Sequence, residues 1–215
     1  MMDETSLRQI HCELNHLPNP DGSVMLMQGD TGVVVGIYGP VEGKQHAMMY
    51  TKAIVDVAYR PVKGPNKIDD RLKELFIQES CESMILSTLY PSTAININIQ
   101  ELEDSGGILA TMINATCLAL INSGLSMKHT IAAVNCMIED STNEIIIDPD
   151  STQLKNAKAE FTYAFDSIKK DIVCIHTSGS FKDEELLETV DRCKQASQFI
   201  FDFYRKIVHQ YATTL

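Results

Sequence analysis

The sequence predicts an α+β fold with helices laid against sheets, and three observations carry that prediction. Residues 94–100, Ala-Ile-Asn-Ile-Asn-Ile-Gln, alternate apolar and polar side chains at period two, as a strand with one buried and one solvated face does. Residues 108–121 are apolar nearly all round, the composition of a helix enclosed by other elements. Short apolar runs at 130–138, 144–147, 158–165 and 171–176 then precede a long amphipathic stretch from Asp183 onward. With 215 residues, 44% of them apolar, the chain is long enough for a sizeable core, either one compact domain over 1–215 or two tightly fused lobes.

The elements follow in order. Residues 23–28 and 33–38 are compact apolar runs joined by a Gly29-Asp30-Thr31-Gly32 turn, and 53–59 alternates well enough for a further strand. These runs are expected to form an antiparallel meander. Arg60-Pro61-Val62-Lys63-Gly64-Pro65-Asn66 cannot continue a ladder and marks an exposed connection, because its prolines lack the N–H a ladder needs. A helix is expected next, with Ile68, Leu72, Leu75, Phe76, Cys81, Met84 and Ile85 inward and Asp69, Asp70, Lys73, Glu74 and Glu79 mostly on the other side. It ends before Pro91. Asn122-Ser123-Gly124 stops the enclosed helix. The last helix is expected to open on a Ser180–Asp183 capping box and to bury Leu186, Leu187, Val190, Cys193, Phe199, Ile200, Phe203, Ile207 and Val208.

Composition excludes several functions. The balance of 18 Lys and Arg against 29 Asp and Glu gives −11, which argues against a surface that coats nucleic acid or anionic lipid indiscriminately. Nucleic-acid contact therefore requires a local basic patch. The best candidate is Arg60, Lys63, Lys67, Arg71 and Lys73, with Asp69, Asp70 and Glu74 among them; a solvated helix face explains it equally well. Lys44 and Arg205 are weaker candidates. The opening Met1–Ser6 has no basic segment leading an apolar stretch, and no run nears the ~20 residues that span a bilayer, so a soluble chain without membrane contact is expected. Cys12, Cys81, Cys117, Cys136, Cys174 and Cys193 include no Cys-x-x-Cys pair and read as reduced, mostly buried thiols. The six histidines are scattered, and neither a metal site nor a cofactor is expected.

The order of elements, together with Gln28-Gly29-Asp30-Thr31, Tyr38-Gly39-Pro40, Arg60-Pro61, the 100–107 string Gln-Glu-Leu-Glu-Asp-Ser-Gly-Gly and Asp148-Pro149-Asp150, resembles the RNase PH family over nearly the whole chain. That resemblance implies paired βαβα-type lobes with mixed and antiparallel sheets. It also implies a place among other RNase PH-like subunits in the six-membered ring of the RNA exosome, around a channel for single-stranded RNA. Nucleus, nucleolus and cytoplasm are the implied compartments, and RNA processing and degradation the implied work.

Active members cleave RNA with inorganic phosphate, and holding two anions together demands positive charge and directed N–H donors. In them a glycine pair followed by Thr-Arg opens a helix as a phosphate cradle. Here Gly106 and Gly107 are followed by Ile108 and Leu109, so hydroxyl and guanidinium are both missing, and close packing explains the glycines at least as well. The stretch 87–92, where relatives carry arginines, has no positive charge. The family's Asp-x-Asp-x-x-Glu-Asp strand end keeps Asp148 and Asp150 but has Gln153 and Leu154 in the last two places, and a partnerless aspartate of that kind ordinarily caps a turn. The leading expectation is a ring subunit that has lost phosphorolysis, since such groups act as a unit. In it Arg60, Lys63, Lys67, Arg71 and Lys73 touch RNA near the channel and Gly106, Gly107, Asp148 and Asp150 are relics of a site. The second expectation is a phosphorolytic or metal-assisted nuclease acting on RNA or DNA through Asp148, Asp150 and Lys67, a homodimer when isolated, working beside an apoptotic nuclease.

Overall fold

The computed structural model describes residues 7–43 and 49–212, so Lys44 lies outside the described residues. The first half lays down β1 (Ile10–Leu14), β2 (Gly22–Gln28), β3 (Thr31–Glu42) and β4 (Ile54–Arg60); helix α1 (Ile68–Met84) and a 3₁₀ turn at Ser87–Leu89 then lead to β5 (Thr93–Glu103). In space the order is β1-β2-β3-β5-β4, with β5 antiparallel to β3 and parallel to β4. The expected meander therefore holds only for β1–β3. A parallel neighbour needs a crossover, which α1 supplies, and β5 takes the interior place because Ile95, Ile97 and Ile99 present a fully buried face.

Helix α2 (Ile108–Ser123) follows, then β6 (Ile131–Glu139), β7 (Ile145–Ile147), the single-turn α3 (Ser151–Leu154), β8 (Ala157–Asp166), β9 (Ile172–Gly179) and α4 (Asp183–Ala212). The second sheet runs β7-β6-β8-β9, antiparallel throughout. α2 packs on β2 and β3 of one sheet and on β6 and β8 of the other, and for that reason it is buried from Ile108 to Leu120. Its buried asparagine, Asn114, is spent on β6 beyond the end of β7. Asn114 Nδ2 donates to Ala133 O (2.8 Å), while Ala133 N–H and Tyr204 Oη–H donate to Asn114 Oδ1 at 2.7 and 2.9 Å. An amide thus replaces the missing strand, as a buried ladder edge requires. α4 packs on β6, β7 and β8 over Phe161, Tyr163 and Phe165, each fully buried and each stabilising by roughly 1.5–3 kcal/mol. No disulfide forms; five of the six thiols are buried and Cys174 is half-buried.

Four expectations need correction. On α1, Ile68 (87% exposed), Leu72 and Leu75 point to solvent, whereas Asp70 and Glu74 are buried, because the face turned toward β4 is the one that carries the acids. On α4, Leu187, Phe199 and Val208 are exposed, and Thr189 and Ser197 are buried in their stead; Thr189 Oγ1 meets Tyr163 Oη at 2.8 Å. α4 opens with Lys182 N–H donating to Glu185 Oε2 (2.9 Å), not with Ser180, whose own N–H joins Lys158 O on the neighbouring strand. β1 and α3 were not expected at all. Among the described residues no helix is long and apolar enough to cross a membrane.

Candidate functional site

The glycine loop that opens α2 is built for close approach. Gly106 has φ +104°, and a Cβ there would lie 2.6 Å from Pro149 O; Ser151 N–H donates to Ser105 O (2.8 Å) across the same seam. Gly107 caps α2 in the left-handed conformation at φ +68°. The packing explanation of the pair is thus sufficient. Ile108 and Leu109 are both buried, so the two side chains that replace a hydroxyl and a guanidinium turn into the protein.

The acids beyond the loop are not partnerless. Arg8, which sequence reasoning missed, reaches across from the segment before β1. Its Nη2 donates to Asp148 Oδ1 at 2.6 Å and to Gly106 O at 3.0 Å, and its backbone N–H donates to Asp148 Oδ2 at 2.9 Å. Its Nη1 contacts Ser105 O and Asp150 Oδ1, both at 3.4 Å, and lies 3.5 Å from Thr31 Oγ1. Thr31 Oγ–H in turn donates to Gly106 O (2.8 Å), tying the β2–β3 turn to the loop. The Asp148 side chain is 1% exposed and that of Arg8 15%, so the pair is a buried ion pair with charge-assisted hydrogen bonds. Asp148 is therefore corrected from an isolated turn acid to one half of a clamp. Asp150 does behave as turn chemistry: it precedes α3, and its N–H donates to Gln153 Oε1 (2.9 Å), the residue standing in the family's glutamate place.

The electrostatics of this pocket are unfriendly to an anion. One guanidinium faces two carboxylates, and the Nη donors of that guanidinium already serve carbonyl and carboxylate oxygens. Behind them Asn135 Nδ2 donates to a further carboxylate, Glu160 Oε1 (2.8 Å). A phosphate entering here meets more negative than positive charge, the reverse of a phosphate cradle.

The second candidate is the connection after β4. Arg60, Lys63 and Lys67 are exposed and make no ion pair among the described residues. Arg60 lines a depression of about 270 Å³ on the outer face of the first sheet with Tyr38, Asn98 and Gln100. Arg71 and Lys73 differ. Arg71 Nη1 lies 3.3 Å from Glu74 Oε2, and Lys73 Nζ lies 3.6 Å from Asp70 Oδ1 and 5.2 Å above the Tyr59 ring. The five cations thus divide into three without an acidic partner among the described residues and two paired with acids, of which Arg71 is itself 76% exposed and Lys73 28%. Arg205 is exposed and pairs with Asp202 at 2.9 Å. The aromatic side chain that shares the depression with Arg60 is Tyr38, which is half-buried. Tyr59 is buried with its hydroxyl on Glu101, and burial first, then that carboxylate, push it far above the ordinary tyrosine range. Phe161, Tyr163 and Phe165 are core.

Comparison with known proteins agrees with this architecture. Residues 6–126 match the RNase PH profile, described as the 3′ exoribonuclease family, domain 1. The chain is 30% identical to the exosome complex component RRP46 homolog of Caenorhabditis elegans, over 94% of each chain. The crystal structure of rice Rrp46 superposes with a TM-score of 0.91 at 27% identity, covering 96% of this chain and 97% of that one. The Archaeoglobus fulgidus exosome with RNA bound to its active site shares the fold, with a TM-score of 0.81 at 17% identity over 94% of this chain and 90% of that one.

Proposed function

The chain belongs to the RNase PH family, and we propose on that premise that it is a non-catalytic ring subunit of an RNA exosome, of the RRP46 or exosome component five type, acting over 1–215 as a single RNase PH-like domain. Its partners are other RNase PH-like subunits and single-stranded RNA, and its compartments the nucleus, nucleolus and cytoplasm. The observation that carries the reading is Arg8. The Arg8 guanidinium beside the glycine loop is already bound to Asp148 and to the loop's own Gly106 carbonyl, and Leu109 stands where the cradle of active relatives has its arginine. The fold survives with the Nη donors at the glycine loop already taken by the protein's own oxygens, which leaves surfaces as the part that works.

Arg60, Lys63 and Lys67 form the RNA-facing set. Contacts from such a loop go to phosphates, carry no sequence information and weaken with salt. The matching profile and two of the relatives carry exonuclease names, but DNA, an apoptotic partner and a homodimer draw no support from the names of the relatives. The test is reconstitution: the chain is mixed with RNase PH-like ring subunits and followed by size exclusion with light scattering. Co-elution in a stoichiometric hetero-oligomer is expected. A chain that stays a homodimer in the presence of those subunits defeats the assignment.

A further inference from the structure

The connection 61–67 has few means of holding its own shape. Pro61 and Pro65 lack N–H groups, and Gly64, at φ +85°, has open space where a Cβ would sit. Its anchors come from elsewhere. β4 is an edge strand, and the Tyr59 N–H near its end donates to Glu74 Oε1 at 2.8 Å. Asn66 Nδ2 donates to Tyr59 O at 2.7 Å and lies 3.5 Å from the same Glu74 oxygen, closing the connection back on its starting residue. At the exit, Lys67 N–H donates to Asp70 Oδ2 at 2.8 Å. Both acids are more than nine-tenths buried, although they stand in the most basic stretch of the chain.

We propose that Glu74, with Asn66 and Asp70, forms a clasp that positions this connection so that Arg60, Lys63 and Lys67 are held facing RNA; the inference rests on the reading of those three cations given above. Glu74 is then a positioning residue. A peptide N–H, an amide and the Arg71 guanidinium converge on its carboxylate, which fixes the β4 end, the returning loop and α1 together. Ordering the loop before RNA arrives removes that ordering cost from binding. The clasp and plain electrostatics predict opposite signs. As a mere negative charge among cations Glu74 weakens RNA binding, and its removal strengthens it. As a clasp it strengthens binding, and its loss weakens it.

The experiment measures affinity for a fluorescent uridine-rich single-stranded RNA by anisotropy at low salt, with thermal melts alongside. Glu74→Gln and Glu74→Ala make the chain equally less negative, but only the glutamine keeps an oxygen for the Tyr59 N–H. Glu74→Ala is expected to bind roughly fivefold more weakly than the unchanged chain, and Glu74→Gln to bind at least as well. Asn66→Ala, which leaves the charge untouched, is expected to follow Glu74→Ala and stands in for it if that variant does not fold. Lys63→Glu with Lys67→Glu separates the two levels of the argument. Unchanged affinity there removes the cations from the RNA surface. Weakened affinity there, with Glu74→Ala or Asn66→Ala binding as well as Glu74→Gln, removes the clasp.

Discussion

Truncating Arg8 to alanine is the sharpest perturbation of the closed pocket. It strips the Asp148 side chain, 1% exposed, of its guanidinium and leaves it the Arg8 backbone N–H alone. Breaking a buried pair from one side costs about 3–5 kcal/mol, and the 15% exposure of Arg8 argues for the lower end, about 3 kcal/mol. For a chain of this length that corresponds to a melting temperature lower by roughly 6–12 °C. Asp148→Asn should cost less, about 1–2 kcal/mol. The guanidinium keeps Gly106 O and Asp150, and asparagine tolerates the left-handed backbone, φ +53°, that Asp148 adopts. The double variant Arg8→Ala with Asp148→Asn should lie near the Asp148→Asn value, giving a coupling of about 3 kcal/mol, the whole Arg8→Ala cost, in a urea-denaturation cycle. An Arg8→Ala cost below about 0.5 kcal/mol, or strictly additive single and double variants, refutes the clamp.

The remaining predictions concern the loop, the RNA surface and the thiols. Gly106→Ala should destabilise by about 2 kcal/mol or more in the same denaturation assay, since its Cβ meets Pro149 O at 2.6 Å and its φ is +104°. The slope of log affinity for single-stranded RNA against log salt should be about −2, the value for three phosphate contacts; about −3.5 would mean that Arg71 and Lys73 also reach RNA. Burial pushes the Cys117 thiol from near 9 up to about 12, so the unfolded chain ionises first as pH rises. The unfolded state then binds fewer protons, and stability should fall between about pH 9 and 12, by up to roughly 1.4 kcal/mol per pH unit, with a Cys117→Ala variant losing less over the same range.

Much of the fold was legible because short periods report local geometry. The period-two run from 94 to 100 is β5, and the all-round apolar run is α2. Where the sequence misled, a tertiary partner reversed a local preference. Asp70 and Glu74 read as solvated because acids usually are, yet the edge of β4 and the returning loop offered them N–H groups, and the apolar Ile68, Leu72 and Leu75 were left outside. The place of β5 between β3 and β4 was recoverable from strand-helix-strand order, since a helix between two strands is the usual route to a parallel pair. The missing Thr-Arg and the broken carboxylate run were visible at once at 108–109 and 153–154. Arg8 was not. It stands in a segment with no periodic pattern, 140 residues from Asp148, and only the folded chain brings the two together.

The most direct test of a closed anion pocket is the release of nucleoside diphosphates from 3′-labelled RNA in the presence of inorganic phosphate, with the purified chain at micromolar concentration. The account predicts none above a no-protein control. Phosphate-dependent shortening of the RNA that disappears in Asp148→Asn would contradict it.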